Sequence, residues 1–365
     1  MLAALDSRAG SAVGLEAAYK RELALAVAER AGFDALVVRN PATVRWLSCG
    51  RGAPVDVCSE DYVVVLRRDA AFVLHRDIES PRVLMEERLE ELGLERAPFP
   101  WHEGPERTVA ELVSGAEVAN DRDLEANLAP HRRTLLGPER ARYRAAGAAT
   151  AEAMTRTLEA LWPEQTELAA AAELAARVRE RGLMPHVVLV AGEARQPIHR
   201  HPLPTEVELG RHALLAITAE RDGLYVSMTR LVSFGAPPAE LARLTRATAE
   251  VDACVLRASR PGARLGELLE VLDGAYTERG FPDEWRLHHQ GGLTGYLGRE
   301  AFATPGDETA LPASCAVAWN PSITGGAKSE DTVLVDDAGL ELITETPDLP
   351  WIEIDGLARP AIVEL

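Results

Sequence analysis

From residue 139 to its end, this chain spells one order of elements twice: two helices, then strands, then two helices, then strands. Apolar and small residues recur at helical spacing over residues 139–161 and again over 166–182, with Thr166 placed as an N-cap and Gly182 as a C′ residue. Strand signals follow in HVVLVAG (186–192) and in ALLAITAERDGLYVSMTRLVSFG (213–235), where Asp222-Gly223 marks a hairpin turn. Residues 238–259 and 265–280 read as a second helix pair, and SCAVAWNP (314–321) as a late strand. Two amphipathic helix pairs need one shared surface to bury against. The pattern therefore predicts an α+β domain with both pairs on one face of an antiparallel sheet.

The first part of the chain alternates differently. A helix over 15–31, strands over 34–38, 62–67 and 71–75, and a helix over 80–92 with Ser80 as N-cap, Pro81 in its first turn and Gly93 past its end predict a small layered α/β domain. The pattern lapses in ANLAPHRRTLLGP (126–138), and Pro138 suits the first turn of a new helix. The expected boundary divides residues 1–135 from 136–365. Two domains also suit 365 residues with 47% hydrophobic content.

Charge narrows the partners. The net charge is −18, and no run of Lys or Arg forms a phosphate-binding stripe, which argues against nucleic acid and anionic membranes. A small-molecule or peptide-like partner is expected instead. Cys49, Cys58, Cys254 and Cys315 are widely spaced with no C-x-x-C, so they read as buried thiols in a reducing compartment. Asp6, Arg8 and Glu16 interrupt the N-terminal stretch where a signal peptide would be apolar, and no later run is long enough to span a membrane. The expected location is cytoplasmic.

GEARQPIHRHPLPTEVELGRHALLAITAERDGLYVSMTRLVSFG (192–235) runs through a His, a Pro-bearing linker, an apolar strand, an Asp-Gly turn and a Thr-Arg ending, and in this order it resembles the family of aminopeptidase P, prolidase and creatinase. GGLTGYLGRE (291–300) stands where the family has a GHGxG turn and a His-Glu pair. AWNP (318–321) stands for Ile-Glu-Pro, and KSEDTVLV (328–335) matches Glu-Asp-Thr. Residues 32–50 are similar to the family's N-terminal opening. The resemblance implies a creatinase-like N-terminal α/β domain, a C-terminal pita-bread domain, a homodimer, and hydrolysis of a C–N bond.

It also implies five metal ligands that this chain has mostly lost. By spacing, the two Asp positions fall on Ala216 and Ser227, the His on Gly292, and the first Glu on Asn320; only Glu330 keeps its ligand type. One carboxylate in five cannot hold two hard or borderline cations. No metal and no other cofactor are therefore expected. Creatinase gives the precedent for a site without metal, in which a His and carboxylates move protons.

By spacing the His of that mechanism corresponds to His199, with Glu330 as its carboxylate; His288 and His289 are further catalytic candidates, of which a strand would turn only one toward a site. Substrate-binding candidates are His201, Arg230, Gln290, Tyr296, Arg299, Glu300 and Asn320. Of these, Arg299 offers a planar fork to a substrate carboxylate, and Arg230 suits anchoring Glu330 or Asp331 equally well. Lys328 and Asp331 suit a charge-balancing role. Against these readings stand a loop His199, a surface ion pair for Arg299-Glu300, and glycines at 291, 292 and 295 serving only the backbone. Two other functions compete: a relocated single-metal site using His199, His201, His288 or His289 with Glu330, and a non-catalytic ligand-binding protein that has kept the fold.

Overall fold

The computed structural model describes residues 12–53, 55 and 62–365, so Cys58 lies outside the described residues. The chain divides into two compact units, Met1–Arg132 and Arg133–Leu365.

In the first unit, helix α1 (Ala12–Arg30) leads into β1 (Ala35–Val38), whose four residues are all buried. Helix α2 (Pro41–Leu47) follows at once, because the Asn40 side chain caps it by accepting from the Ala42 amide at 2.9 Å and Pro41 fits its first turn. Strands β2 (Tyr62–Arg67), β3 (Ala71–Arg76), β4 (Glu95–Phe99) and β5 (Val118–Asn120) complete a mixed sheet in the order β4-β3-β2-β1-β5. Helix α4 (Glu106–Leu112) lies between β4 and β5 in sequence.

The helix expected over 80–92 is not continuous. Ser80 is not an N-cap but the first residue of a single α turn (α3, Ser80–Arg82); with a 3-10 turn (Asp77–Glu79), a π turn (Val83–Glu87) and a second 3-10 turn (Leu89–Leu92) it replaces the helix. Arg88 at φ 51° breaks the helical path, and Gly93 at φ 73° ends it. The lapse expected in residues 126–138 is also corrected, since α5 (Glu125–Arg133) is helical with Pro130 inside it.

In the second unit, α6 (Gly137–Leu158) and α7 (Glu167–Glu180, with Thr166 Oγ1 accepting from the Ala169 amide at 3.1 Å) precede β6 (Met184–Gly192), β7 (His212–Arg221) and β8 (Leu224–Ser233). The hairpin between β7 and β8 turns on Asp222 (φ 55°) and Gly223 (φ 77°), both in the left-handed conformation that such a tight turn needs. Helices α8 (Ala239–Ala258) and α9 (Leu265–Glu278) then precede β9 (Gly291–Thr294), β10 (Ala301–Phe302) and β11 (Ser314–Trp319). Short strands β12 (Ser322–Ile323) and β13 (Ala327–Lys328) lead to β14 (Asp331–Asp336) and β15 (Gly339–Leu342). The chain closes with β16 (Trp351–Ile354), β17 (Leu357–Pro360) and β18 (Ile362–Glu364).

The order is repeated as the sequence suggested, but the strands form two main sheets, β18-β8-β7-β6 and β10-β9-β11-β14-β15. They join where the Thr229 amide donates to the Glu330 carbonyl at 3.0 Å. Leu265, Leu268, Leu269 and Leu272 of α9 pack with Val251 and Val255 of α8 against Leu293, Val317, Val333 and Val335, so the core covers one face of the second sheet. That leaves the seam between the sheets for polar residues.

Candidate functional site

The seam is built by register. Pairing of β7 with β8 sets Ala216 opposite Thr229 and Thr218 opposite Ser227, and the Thr218 and Ser227 hydroxyls lie 2.9 Å apart. The Thr229–Glu330 bridge then brings the start of β14 alongside. A cavity of about 390 Å³ opens here. Its polar wall includes His201, His289, Arg299, Asn320, Lys328 and Glu330, with His186 and Thr218 beside the apolar residues Val187, Leu189, Ile217, Tyr225 and Phe302.

Glu330 is the centre of the polar wall. Its Oε2 accepts from the Thr229 hydroxyl at 2.7 Å, its Oε1 accepts from Arg299 Nη2 at 3.0 Å, and Lys328 Nζ stands 3.8 Å from Oε2. Burial works to raise the Glu330 pKa, but the charges of Lys328 and Arg299 outweigh it and hold the carboxyl below its usual range. Arg299 reaches in from the loop between β9 and β10, donating also to the Gly298 carbonyl at 2.7 Å and the Ser227 hydroxyl at 3.3 Å. Its buried Nε, and the buried Asn320 Oδ1 near it in the cavity lining, have no hydrogen-bond partner.

Three imidazoles cluster here, His201 and His289 lining the cavity and His288 beside them. The His201, His288 and His289 ring centroids are 5.4 Å from one another, with the His288 and His289 planes only 11° apart. Residues 288 and 289 follow a 3-10 turn (Glu284–Leu287) instead of lying on a strand, so the two rings stack and do not point to opposite faces. Burial, with Lys328 and its neighbours, pushes His288 down to about 2. Partial burial and the Arg299 charge push His289 down to about 4, and partial burial and Lys328 lower His201. All three imidazoles are neutral at neutral pH.

The remaining sequence candidates separate into those at the cavity and those behind it. His199 is exposed and lines a neighbouring hollow of about 280 Å³ with Gln196, Arg200 and Leu287; the cavity that holds Glu330 is lined by His201. His288 turns away toward Gln290 (3.0 Å) and Ser322 (3.5 Å). Gln290 is buried, donating to the Trp285 carbonyl and accepting from Tyr276 at 2.9 Å, so it braces the histidine loop. Tyr296 donates to Glu139 at 2.7 Å, and Glu300 accepts from the Tyr296 amide at 3.1 Å; both lie behind the cavity lining. Arg230, 1% exposed, donates to Asp331 at 2.9 Å and to the Thr344 carbonyl at 2.9 Å, which makes it an anchor for β14. Thr229 and Tyr225 are parts of the site that the motif reading left out, and it gave Lys328 only a charge-balancing role and Ser227 only the place of a lost ligand. Lys328 had a signal, as one of only two lysines in the chain.

The donor set does not fit a metal pair. Ala216 has no donor, Gly292 has no side chain, Ser227 is occupied by Thr218 and Arg299, and Glu330 is shared by two cations. Among the described residues no group of three or more His, Cys, Asp or Glu is placed to hold a metal ion, including the relocated site.

Fold and seam define a known class. The chain folds as the pita-bread proteins do, with an α/β domain ahead of the pita-bread domain. Residues 141–337 match the model of metallopeptidase family M24, and the chain belongs to that family. It is similar to the dipeptidase PepE of Mycobacterium ulcerans (20% identity, TM-score 0.73, covering 96% of this chain and 99% of that one). It is also similar to the Xaa-Pro dipeptidase of Bacillus anthracis (17%, 0.74, 96% and 100%) and the prolidase of Pyrococcus horikoshii OT3 (16%, 0.75, 90% and 98%). No curated protein sequence matches at a significant level. No helix among the described residues is long and apolar enough to cross a membrane.

Proposed function

We propose that this protein is a metal-independent hydrolase, creatinase-like in its chemistry, that cleaves a C–N bond in a small amide, amidine or peptide-like substrate. One observation carries the reading: Glu330 is clamped as an ion between Thr229 and Arg299, with neutral His201 and His289 at the mouth of the same cavity. Arg299 is the donor for the substrate's carbonyl oxygen or carboxylate, where a charge-assisted hydrogen bond is strongest. Glu330 holds that guanidinium in place. A neutral imidazole of His201 or His289 accepts a proton from the attacking water on one nitrogen and delivers one to the leaving nitrogen from the other. The apolar wall, with Val187, Leu189, Ile217 and Phe302, accepts the substrate's body. A homodimer belongs to the same reading and is checked by sedimentation.

Metal content and activity test it together. Purified protein should carry well under one transition ion per chain, and turnover of N-acyl amino acids, amidino acids or Xaa-Pro dipeptides should be unchanged by a chelator. One or two tightly held ions per chain, with activity lost on chelation and restored by the ion, would sink this reading. Binding without turnover of any of these compounds would leave a ligand-binding protein.

A further inference from the structure

The charge of the cavity that holds Glu330 selects among substrates. Of the described residues that line it, Arg299 and Lys328 are cationic and Glu330 alone is anionic. Both cations hold that carboxylate, Arg299 Nη2 at 3.0 Å and Lys328 Nζ at 3.8 Å. Arg200, in the neighbouring hollow, is paired with Glu284, and Asp331 is taken by Arg230 and Arg359. Glu220, 3.8 Å from His186, is not among the lining residues. The wall thus carries one net positive charge, to which a protonated imidazole would only add, and has no carboxylate free to pair with an ammonium. A dipeptide's free α-amino group is repelled here, and a carboxylate is attracted.

The unpaired atoms of the wall select the bond. Two buried side-chain atoms of lining residues have no hydrogen-bond partner: Arg299 Nε, a donor, and Asn320 Oδ1, an acceptor. Buried polar atoms left so cost stability until a partner completes them. One donor and one acceptor are the complement of a secondary amide, whose carbonyl oxygen accepts and whose N–H donates. A bond to a proline nitrogen has no N–H and leaves Asn320 unmet. Lys328 Nζ, at 3.8 Å from Glu330, is beyond a normal hydrogen bond and keeps donors for a substrate carboxylate. Val187, Leu189, Ile217 and Phe302 offer side chains without polar atoms.

We propose that the substrate is an N-acyl amino acid whose acyl group is an apolar chain, held by its carboxylate at Lys328, by its secondary amide at Arg299 and Asn320, and by its chain against the four apolar residues. This rests on the hydrolytic reading of the same cavity and names its substrate class. In the step, a water oxygen bonds to the acyl carbon as the C–N bond breaks, and both water protons end on the leaving nitrogen. The products are a fatty acid carboxylate and an amino acid with a free ammonium. Water is the only co-reactant. The ammonium that forms is the group the cavity repels, which favours release of the amino acid.

The test reads binding and turnover separately on the wild-type chain. Calorimetry gives Kd, and amino-acid release gives kcat/KM, for N-octanoylalanine, N-acetylalanine, N-octanoylproline, N-octanoylalaninamide and leucylalanine. N-Octanoylalanine should bind at least about tenfold tighter than each of the others, and kcat/KM should put it first as well. Lys328→Gln should raise its Kd by about tenfold or more while moving that of the uncharged N-octanoylalaninamide by less than about twofold. Equal or tighter binding of leucylalanine, or affinity indifferent to acyl length, overturns the proposal; cleavage of the dipeptide in that case keeps the hydrolytic reading. N-Octanoylalanine bound with the expected selectivity but never cleaved supports the recognised class and overturns the hydrolytic reading instead.

Discussion

At the scale of single residues, two histidines two positions apart divide the site between them. The motif spacing selects His199, but the turn after β6 leaves that ring exposed at the neighbouring hollow and brings His201 to the cavity of Glu330. If acid/base work belongs to the ring in the cavity, His201→Ala should lower turnover by on the order of 10²-fold while His199→Ala stays within about twofold. Steady-state rates of the two variants, with unchanged circular dichroism, decide it; the reverse order of effects would return the role to His199. Spacing along the chain points to His199, but which of the two rings reaches the cavity is a matter of loop path, which spacing does not carry.

At the scale of elements, the β9–β10 hairpin explains why the lost ligand cannot simply be put back. Gly292 has φ 148°, and a Cβ built there would collide with the Ala301 carbonyl oxygen across the hairpin. Gly292→His should therefore destabilise the fold, by about 1–3 kcal/mol from backbone strain alone, and should bind no metal. Urea unfolding with elemental analysis of the variant checks both; a stable, metal-loaded Gly292→His would show that the hairpin tolerates a ligand. The glycine pair was legible in the sequence as a backbone requirement. Which strand presses on it was not, since Ala301 comes from β10 and the Trp319 end of β11 pairs with Gly291.

Over the whole molecule, stability rests on charges buried behind the site. Arg359 of β17 lies 2.6 Å from Asp252 of α8 and 2.9 Å from Asp331 of β14, while Arg230 holds the other oxygen of Asp331 at 2.9 Å. Removing one member strands the others in a dry interior. Arg359→Met should cost about 3–5 kcal/mol, and adding Asp252→Asn should recover part of it, measured by urea denaturation. A loss within about 0.5 kcal/mol, as for an ordinary surface change, would mean the network contributes nothing.

The mouth histidines give the acid side of the stability profile. His289 at about 4 and His288 at about 2 stay neutral in the fold, but in the unfolded chain both take a proton near 6.5. Below that pH the unfolded state binds more protons, so stability falls as pH drops from 6.5 toward 4. Asp252, raised to about 6 by burial, works the other way, since the fold keeps its proton between 3.8 and 6. Asp121, raised by burial, acts with Asp252, whereas His201, His75, His131 and His212, lowered by burial, act with His288 and His289, and the lowered imidazoles outnumber the raised carboxyls. The urea midpoint should drop between pH 7 and 5, and His288→Asn/His289→Asn should flatten that drop; an unchanged slope in the double variant would remove these rings as its source.

The sequence by itself determined the repeated order of helices and strands and the tight turn at Asp222-Gly223, which depend on local spacing and residue type; the resemblance to the family added the expectation that Ala216, Ser227, Gly292 and Asn320 stand where metal ligands would. Tertiary structure alone decided that residues 80–92 break into short turns, that His201 and not His199 lines the cavity of Glu330, and that His288 and His289 stack. It also decided that Arg299 and Lys328 share one carboxylate. Each of these depends on which distant backbone lies alongside, as at the Thr229–Glu330 bridge, and burial there sets the charge states that no linear pattern records.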